Sequence, residues 1–373
     1  MKFAVNKKYA VLAAVNAVLL GTAAILSCIA SAEAKSHTYN YAAERWASGG
    51  DYTQISCFFS ENAGFTMDSV ASARMQMLSN LKNVSIVPEE GQKLCPDGWS
   101  ASLGQASIKG DLSGRSEAEI TAVGGDYFLI HDFRLLDGAF FSDDDIMQDG
   151  IVIDKNLAWS LYGSNDIAGM TLTVNGSEFY ISGVIDTPST DEERECAGEL
   201  PRAYVSYDGA SLFASESEGF MGEGASALPS AFRKVTCYEV IMPDPVENYA
   251  YESMKGYFEG YGKNAEVIRN TGRFAASKRL KALKNMKKLA VRDSAVIYPY
   301  RENASRLAEY KLSYLYMWRI ICLIIPAVTA VWIIVRCAKL GKKYIIKGVN
   351  SVLDFIEKRK MMKWREKNEK KEA

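Results

Sequence analysis

Two long apolar runs decide the fold of this chain: YAVLAAVNAVLLGTAAILSCIASA at residues 9–32 and YLYMWRIICLIIPAVTAVWIIV at residues 314–335. About 20 apolar residues in a helix cross the hydrocarbon core of a bilayer, so each run predicts a transmembrane helix. For the first run a cleaved signal peptide is the alternative, because Ala32, Glu33 and Ala34 have the small-x-small form of a cleavage site. For the second run the alternative is a buried core helix. Both interpretations of the first run send the following residues across the membrane.

Basic residues flank the two runs on one predicted side of the membrane. Lys7 and Lys8 precede the first run, and Arg336, Lys342 and Lys343 follow the second. Positive charge stays on the cytoplasmic side of a membrane. The sequence therefore predicts a plasma-membrane protein with both termini in the cytoplasm and a large extracytoplasmic segment between the runs.

The net charge of -1 hides a strong segregation of charge. Residues 33–262 carry 14 Lys and Arg against 36 Asp and Glu, a net of -22, whereas residues 263–301 carry 11 against 2, a net of +9. This split predicts an acidic body with a basic helical stem. Two interpretations stay open for the stem: attraction to anionic lipid headgroups, or pairing with the acidic body.

Two β-α-β orders bracket the extracytoplasmic segment. The first consists of a strand at 52–59, a helix at 69–81 and a short strand at 84–87. The second consists of a strand at 236–242, a helix at 248–261 and a strand at 265–268. Between them, residues 119–207 contain short β segments, and Asn175-Gly176 predicts a hairpin with a type I′ turn. Residues 208–235 are rich in Gly, Ser and Ala, which predicts a flexible connection.

Seven cysteines are present, and four of them lie in the segment predicted to be outside: Cys57, Cys95, Cys196 and Cys237. An even number in an oxidising compartment permits two disulfides. We prefer the pairs Cys57–Cys95 and Cys196–Cys237, because each closes a loop inside one predicted subdomain. Four free buried thiols are the alternative.

No motif predicts an enzyme, a cofactor or a metal site. The chain has two histidines, His37 and His131, and neither has a serine, cysteine or metal-ligand pattern near it in the sequence. The acidic clusters Asp143–Asp145 and Asp191–Glu195 lack the spacing of a calcium loop and are predicted to be solvated turns. The chain also has no Gly-x-x-x-x-Gly-Lys-Ser/Thr loop, so any ATP hydrolysis must come from a separate subunit. We predict no nucleic-acid partner.

An ordered series of motifs extends over about 60 residues. It consists of GGDYF at 124–128, FRLLDGAFF at 133–141, GIVID at 150–154, AWSLYG at 158–163, IAGMTL at 167–172 and FYISGVI at 179–185. In order and spacing this series resembles the extracytoplasmic core domain of MacB/FtsX-type ABC transporter permeases. The resemblance implies an α+β fold, in which two transmembrane helices flank an extracytoplasmic split βαβ, porter-like subdomain with an inserted β-rich lobe. It implies scaffold roles for these residues, with no catalytic role.

The predicted division of the chain follows from these patterns. It consists of a cytoplasmic N-terminus (1–8), transmembrane helix 1 (9–32), the two α/β halves (33–118 and 236–270), the inserted β-rich lobe (119–207), a flexible connection (208–235), the basic stem (271–313), transmembrane helix 2 (314–335) and a basic cytoplasmic tail (336–373).

The resemblance further implies a non-catalytic, permease-like subunit that works with a separate ABC ATPase and with a multi-span permease partner or a second copy. Family permeases usually have three spans after the domain, and this sequence has one. A membrane-anchored binding or sensory module that is not coupled to an ATPase is the alternative.

The tail contains a predicted amphipathic helix at residues 340–364. Its apolar face carries Ile345, Val349, Val352 and Ile356, and basic residues that include Lys342 and Lys343 surround this face. Such a helix can lie on the inner leaflet of the membrane or dock on a partner.

Overall fold

The computed structural model describes residues 7–47, 51–88, 91, 93–112, 114–186, 188, 190–210, 234–285 and 295–372, with side chains up to residue 362. The chain divides into two units. Met1–Ala30 and Tyr314–Ala373 form one unit, and Ser31–Ser313 form the other.

Helices and strands alternate along the described residues, so the protein is of the mixed α and β class. The α-helices are α1 (Lys7–Ser36), α2 (Ala42–Trp46), α3 (Met67–Asn83), α4 (Tyr127–His131), α5 (Lys155–Tyr162), α6 (Asp191–Ala197), α7 (Tyr249–Phe258), α8 (Ala276–Ala282) and α9 (Tyr300–Glu372). The strands are β1 (Tyr52–Phe59), β2 (Asp97–Gly110), β3 (Arg115–Gly125), β4 (Leu135–Gly138), β5 (Gly150–Asp154), β6 (Thr171–Val174), β7 (Ser177–Ile185), β8 (Arg202–Ser206), β9 (Cys237–Pro243) and β10 (Ala265–Arg269).

The first unit contains most of α1 and the larger part of α9. Both helices are long and apolar enough to cross a membrane. Side chains of the two helices meet along this unit: the rings of Tyr9 and Trp332 lie 6.4 Å apart, and Thr329 Oγ1 donates to Asn16 Oδ1 at 3.3 Å. Asn16, the strongly polar residue of the first apolar run, therefore has a hydrogen-bond partner.

The second unit is built on one sheet, into which all ten strands of the described residues are joined. Its order is β10-β1-β9-β2-β3-β8-β5-β7-β4, and β6 pairs with both β2 and β7. Strand β1 pairs antiparallel with β9 and β10, and β2 also pairs antiparallel with β9. Strands β1 and β2 are therefore parallel to each other, with β9 between them, and α3 connects them.

The prediction of a short strand at residues 84–87 is wrong. Val84 ends α3, and Ser85 has φ +64°, a left-handed conformation that does not continue a strand. The strand that follows α3 is β2, which the sequence prediction missed. Its first residues pair with β9 and its last residues pair with β6. Because this one strand of 14 residues serves both regions, the predicted inserted lobe shares its sheet with the α/β halves.

The β-rich region contains the predicted hairpin. Strands β6 and β7 pair antiparallel through Val174 and Ser177, and Asn175 and Gly176 between them both have positive φ, at 48° and 103°. Close packing explains Gly183 in β7, because a Cβ there would lie 2.6 Å from the carbonyl oxygen of Ala139. Residues 211–233, most of the predicted flexible connection, lie outside the described residues.

The main core lies between the sheet and the helices α3 and α7. Helix α3 buries the face that its spacing predicts, consisting of Val70, Ala73, Met77 and Leu81. These residues join Ile55, Cys57 and Phe59 of β1 in one cluster. Residues of β1 that alternate with these three therefore point to the opposite side of the sheet.

The α3 face provides a direct test of this core. Leu81 is fully buried, whereas Leu78 of the same helix is 44% exposed. We expect Leu81→Ala to lower the free energy of unfolding by about 2–5 kcal/mol, because it removes buried methyl groups and leaves a cavity. Leu78→Ala, the matched control, should change it by less than about 1 kcal/mol. Chemical unfolding of the detergent-purified chain measures both, and equal losses for the two variants would contradict the packing described here.

Candidate functional site: a buried ionic junction

The second face of β1 is polar but buried. Gln54 is 1% exposed and Ser56 is also 1% exposed. Gln54 Nε2 donates to the carbonyl oxygen of Tyr39 at 2.9 Å, and Gln54 Oε1 accepts from the backbone N–H of Ala42 at 3.0 Å. The segment that follows α1 therefore covers this face of the sheet and supplies the hydrogen bonds that buried amide groups require.

A chain of polar contacts crosses the same face from Asn270, the residue after β10, to His131 of α4. Asn270 Nδ2 donates to Ser56 Oγ at 2.7 Å, and Ser56 Oγ donates to Glu239 Oε1 at 2.5 Å. The second oxygen of Glu239 lies 2.5 Å from His131 Nε2. Burial alone would raise the pKa of Glu239, but the nearby His131 and the hydrogen bond from Ser56 hold this pKa below its usual range.

Arg273 is the centre of the charged part of this face. It is 3% exposed, and its guanidinium contacts Glu302 through two nitrogens, at 2.8 and 3.1 Å. Its Nε donates to Glu309 Oε1 at 3.0 Å, and its Nη1 donates to Asn40 Oδ1 at 3.1 Å. Burial would lower the pKa of Arg273, but the two carboxylates raise it above its usual value, so the arginine is fixed as a cation.

Further arginines extend this arrangement. Arg279 of α8 contacts the second oxygen of Glu309 at 2.6 Å, and Arg306 donates to Glu302 Oε1 at 2.7 Å. The guanidinium of Arg306 also lies 3.7 Å from the centre of the Tyr298 ring. Every carboxylate of the first turns of α9 is thus shared between two arginines, which offsets the desolvation of the buried charges.

Helix α6, which lies between β7 and β8 in the chain, contacts the same part of α9. Lys311 pairs with Glu192, and Arg301 Nε lies 3.5 Å from Glu193 Oε1. Arg301 also stacks over Phe133 at 3.9 Å. Thr190 and Glu193 form a capping box at the start of α6, which fixes the direction of its acidic residues.

The burial of Glu192 and Glu193 contradicts the prediction that the cluster Asp191–Glu195 is a solvated turn. We expected a solvated turn, but Glu192 is 2% exposed and Glu193 is 3% exposed. The reason is tertiary, since cations of α9 cover them. The other predicted turn, Asp143–Asp145, is exposed, and Asp145 Oδ2 accepts from the backbone N–H of Ser142.

Hydroxyl groups complete the arrangement around the segment after α1. Tyr39 Oη donates to the carbonyl oxygen of Arg301 at 2.7 Å and accepts from Ser305 Oγ at 3.0 Å. His37 Nδ1 lies 3.2 Å from the same Tyr39 oxygen. On the other side of its ring, His37 Nε2 lies 3.8 Å from Glu33 and 3.9 Å from Glu192.

We call this assembly the terminal junction, because it joins the two ends of the segment Ser31–Ser313 to its sheet. Its members are Glu33, His37, Tyr39, Asn40, Gln54, Ser56, His131, Glu192, Glu193, Glu239, Asn270, Arg273, Arg279, Arg301, Glu302, Ser305, Arg306, Glu309 and Lys311. The terminal junction fixes the start of α9 to α4, α6, α8, β10 and the segment after α1 by ion pairs and hydrogen bonds.

Sequence reasoning missed the terminal junction. Within the predicted basic helical stem (271–313), α8 ends at Ala282, a 3-10 turn follows at Leu283–Asn285, and α9 begins at Tyr300. Residues 286–294 lie outside the described residues. Arg273 and Arg279 pair with Glu302 and Glu309, which lie within the predicted stem itself, so these pairs do not decide between the two interpretations of the stem. The one local feature of the sequence that could have indicated the terminal junction is the pair Glu33 and His37, which are four residues apart.

The four predicted disulfide cysteines are all within the described residues and are free thiols in the structure. Cys57, Cys95 and Cys237 are buried, and Cys196 is half-buried. Burial raises the pKa of all four thiols. Cys57 lies in the main core, whereas Cys237 packs with Phe58 on the opposite face of the sheet. The two disulfides stay a prediction.

The predicted tail contacts all lie on α9 and are exposed. They are Lys342, Lys343, Ile345, Val349, Val352 and Ile356. The helix continues from the second apolar run through these residues without interruption to Glu372. Their contact with a membrane surface or a partner stays a prediction.

The chain was also compared with known proteins. Residues 12–227 match the family model described as the MacB-like periplasmic core domain. The periplasmic region of MacB from Actinobacillus actinomycetemcomitans is similar in structure at 15% identity and a TM-score of 0.37, covering 63% of this chain and 92% of that chain. The extracellular domain of the noncanonical ABC-type transporter YknZ from Gram-positive bacteria is similar at 15% identity and a TM-score of 0.36, covering 58% and 99%. The chain matches no curated protein.

Together the two membrane-length helices and the matched domain define the class: this is a membrane protein with an extracytoplasmic domain. The match extends over more than half of the chain, so the chain belongs to the family of the MacB-like periplasmic core domain. The resemblance found in the sequence is thereby confirmed. Membership indicates a permease-like component of an ABC-type transporter, in a family that is generally non-catalytic.

The pair of Arg273 and Glu302 allows a test of the terminal junction. We expect Glu302→Gln and Arg273→Met each to lower the free energy of unfolding by about 3–5 kcal/mol, because each removes one of the two partners that balance a buried charge. The double variant should lose less than the sum of the two. Arg194→Met, at a pair whose side chains are 59% and 82% exposed, is the control and should cost about 0–1 kcal/mol. Additive losses in chemical unfolding would show that the two residues are not coupled.

The lowered pKa of Glu239 predicts a dependence of stability on pH. A carboxylate with a lowered pKa in the folded state stabilises the fold fully above its unfolded pKa, at about 4.3, and loses this contribution as the pH falls through the folded value. We expect Glu239→Gln to be less stable than the wild type at pH 7, with a difference that narrows below about pH 4.3. Unfolding curves at pH 7 and pH 3.5 measure it. Glu252→Gln on the exposed side of α7 is the control. If Glu239→Gln and the wild type differed in stability by the same amount at both pH values, the lowered pKa of Glu239 would be contradicted.

Proposed function

We propose that this protein is a non-catalytic, permease-like subunit of an ABC-type transporter, and that its extracytoplasmic domain transmits conformational change to its membrane helices through the terminal junction. One observation carries the proposal: α9 begins inside the terminal junction and continues without a break into the second membrane-length run. A helix fixed at one end by paired buried charges moves together with the residues that hold it.

The cost of unpaired charge supports this role. If α6 moved away from α9, Glu192 and Glu193 would lose Lys311 and Arg301 as partners. Leaving a buried charge unpaired costs about 3–5 kcal/mol. A displacement of the β-rich region is therefore cheaper when α9 follows it. Typical couplings between distant sites are about 1–3 kcal/mol, so ion pairs of this kind are strong enough for the task.

The order of strands supports the porter-like part of the proposal. Strand β9 lies between the parallel strands β1 and β2, and β1 lies between β9 and β10. This order agrees with the proposed split βαβ subdomain, to which the β-rich region would be attached through the long strand β2.

The proposal includes partners and an orientation. The sequence has no phosphate-binding loop, so a separate ABC ATPase supplies the energy. A multi-span permease or a second copy of this chain completes the membrane part, and both termini lie in the cytoplasm. The tail helix favours contact with a partner over a position on the inner leaflet, because a helix that continues from a span needs a bend to lie on the membrane surface, and α9 is continuous.

A mild-detergent pull-down of the intact chain from its own membranes, with mass spectrometry, tests the assembly. We expect an ABC ATPase together with a multi-span partner or a second copy. Repeated recovery of neither would overturn the transporter assignment in favour of a binding or sensory module.

A second variant tests the coupling inside the recovered complex. Arg301→Lys keeps the charge but loses the stacking on Phe133 and the guanidinium contact with Glu193. We expect unchanged recovery of the partners and a change of about 5-fold or more in ATP turnover, the size of ordinary coupling energies. Arg194→Lys on the exposed side of α6 is the matched control. Equal ATP turnover in both variants would remove the terminal junction from the proposed mechanism.

A further inference from the structure

A second feature of the terminal junction concerns His37, whose ring is fully buried. Tyr39 Oη donates its own proton to the carbonyl oxygen of Arg301. It can therefore only accept from His37 Nδ1, which lies 3.2 Å away. The proton of a neutral imidazole is thereby fixed on Nδ1, and the lone pair of Nε2 is left on the opposite edge of the ring.

Two carboxylates face this lone pair. Glu33 Oε1 lies 3.8 Å and Glu192 Oε2 lies 3.9 Å from His37 Nε2, and the three ligand atoms all lie within 4.8 Å of one another. His37 Nε2 and Glu33 Oε1 are buried without a hydrogen-bond partner among the described residues. The lone pair of His37 Nε2 and the two carboxylate oxygens repel one another, unless a cation lies between them.

The neighbours of His37 keep this edge of the ring facing carboxylate oxygens. The other oxygen of Glu192 is paired with Lys311, and this pair leaves Glu192 Oε2 directed at the histidine. The rings of Phe274 and Tyr39 also lie near His37, at 5.6 and 5.9 Å between ring centres, and the charged groups of Glu193, Arg273 and Lys311 act on it electrostatically.

We propose that Glu33, His37 and Glu192 form a binding site for one divalent transition-metal ion, with Zn²⁺ as the ion that fits best. A neutral imidazole that donates its other N–H to an oxygen is the usual form of a metal-binding histidine, and Tyr39 supplies that oxygen. Imidazole and carboxylate are normal zinc ligands, at about 2.0–2.2 Å. Ligand atoms separated by 3.8–3.9 Å reach such distances from a common centre by small side-chain rotations.

Magnesium and calcium fit this set of ligands less well, because both prefer oxygen ligands alone. Three protein ligands leave at least one coordination position for water. The bound ion would connect the last turn of α1, the residue that follows this helix and α6 of the β-rich region.

Equilibrium dialysis of the detergent-purified full chain against Zn²⁺, with metal analysis by mass spectrometry, tests the proposal. We expect His37→Gln and Glu33→Gln each to bind one Zn²⁺ per chain less than the wild type. Because the side chain of Glu33 is 23% exposed, we expect Glu33→Gln to fold, and it keeps the test valid if His37→Gln unfolds. Glu252→Gln, at an exposed carboxylate of α7, is the matched control, with unchanged stoichiometry.

A positioning variant and a spectrum complete the test. Tyr39→Phe removes the oxygen that orients His37 and should weaken Zn²⁺ binding by about 10–100-fold. Zinc-edge absorption of the wild type should show only nitrogen and oxygen ligands for the ion that His37→Gln loses. Equal stoichiometry in the wild type, His37→Gln and Glu33→Gln would overturn the proposal. Sulfur at about 2.3 Å would also overturn it, because it would assign the ion to the cysteines.

Discussion

The burial of Arg273 between Glu302 and Glu309 is the interaction on which the rest of the extracytoplasmic unit depends. A cation that is 3% exposed needs both carboxylates, and both lie in the first turns of α9. Pairing with Arg273 therefore fixes the start of α9 against the sheet. With α9 in place, Arg301 and Lys311 can reach the acidic residues of α6. The polar face of β1 is then closed from water by the two ends of the unit.

This arrangement has a consequence for movement within the fold. The main core, between the sheet and the helices α3 and α7, consists of apolar contacts that tolerate small displacements. The terminal junction consists of directional ion pairs and hydrogen bonds, whose energy falls steeply when the partners separate. We therefore propose that change in the β-rich region reaches α9 as a displacement of a rigid unit. The continuity of α9 beyond Ser313 gives such a displacement a path along the chain.

The proposed metal site lies within the same assembly but differs from it in charge. Around Arg273 each buried cation is matched by carboxylates, whereas at His37 two carboxylates face an unprotonated nitrogen. A divalent ion would restore the balance and would add a contact between α1 and α6. In the proposed function, such an ion would strengthen the connection of the β-rich region to the first membrane-length helix, as the arginine pairs connect this region to α9.

The sequence by itself determined the features that depend on local order and composition. The two apolar runs, the apolar face of α3 and the Asn175-Gly176 hairpin follow from length, period and turn chemistry, and the family follows from motif order. The sequence did not determine β2, because strand formation depends on partners distant in the chain. Only the tertiary structure decided that Arg273 and Glu192 are buried. The charge of a residue does not reveal whether another segment, here α9 more than a hundred residues from Glu192, will cover it and supply its counter-ion.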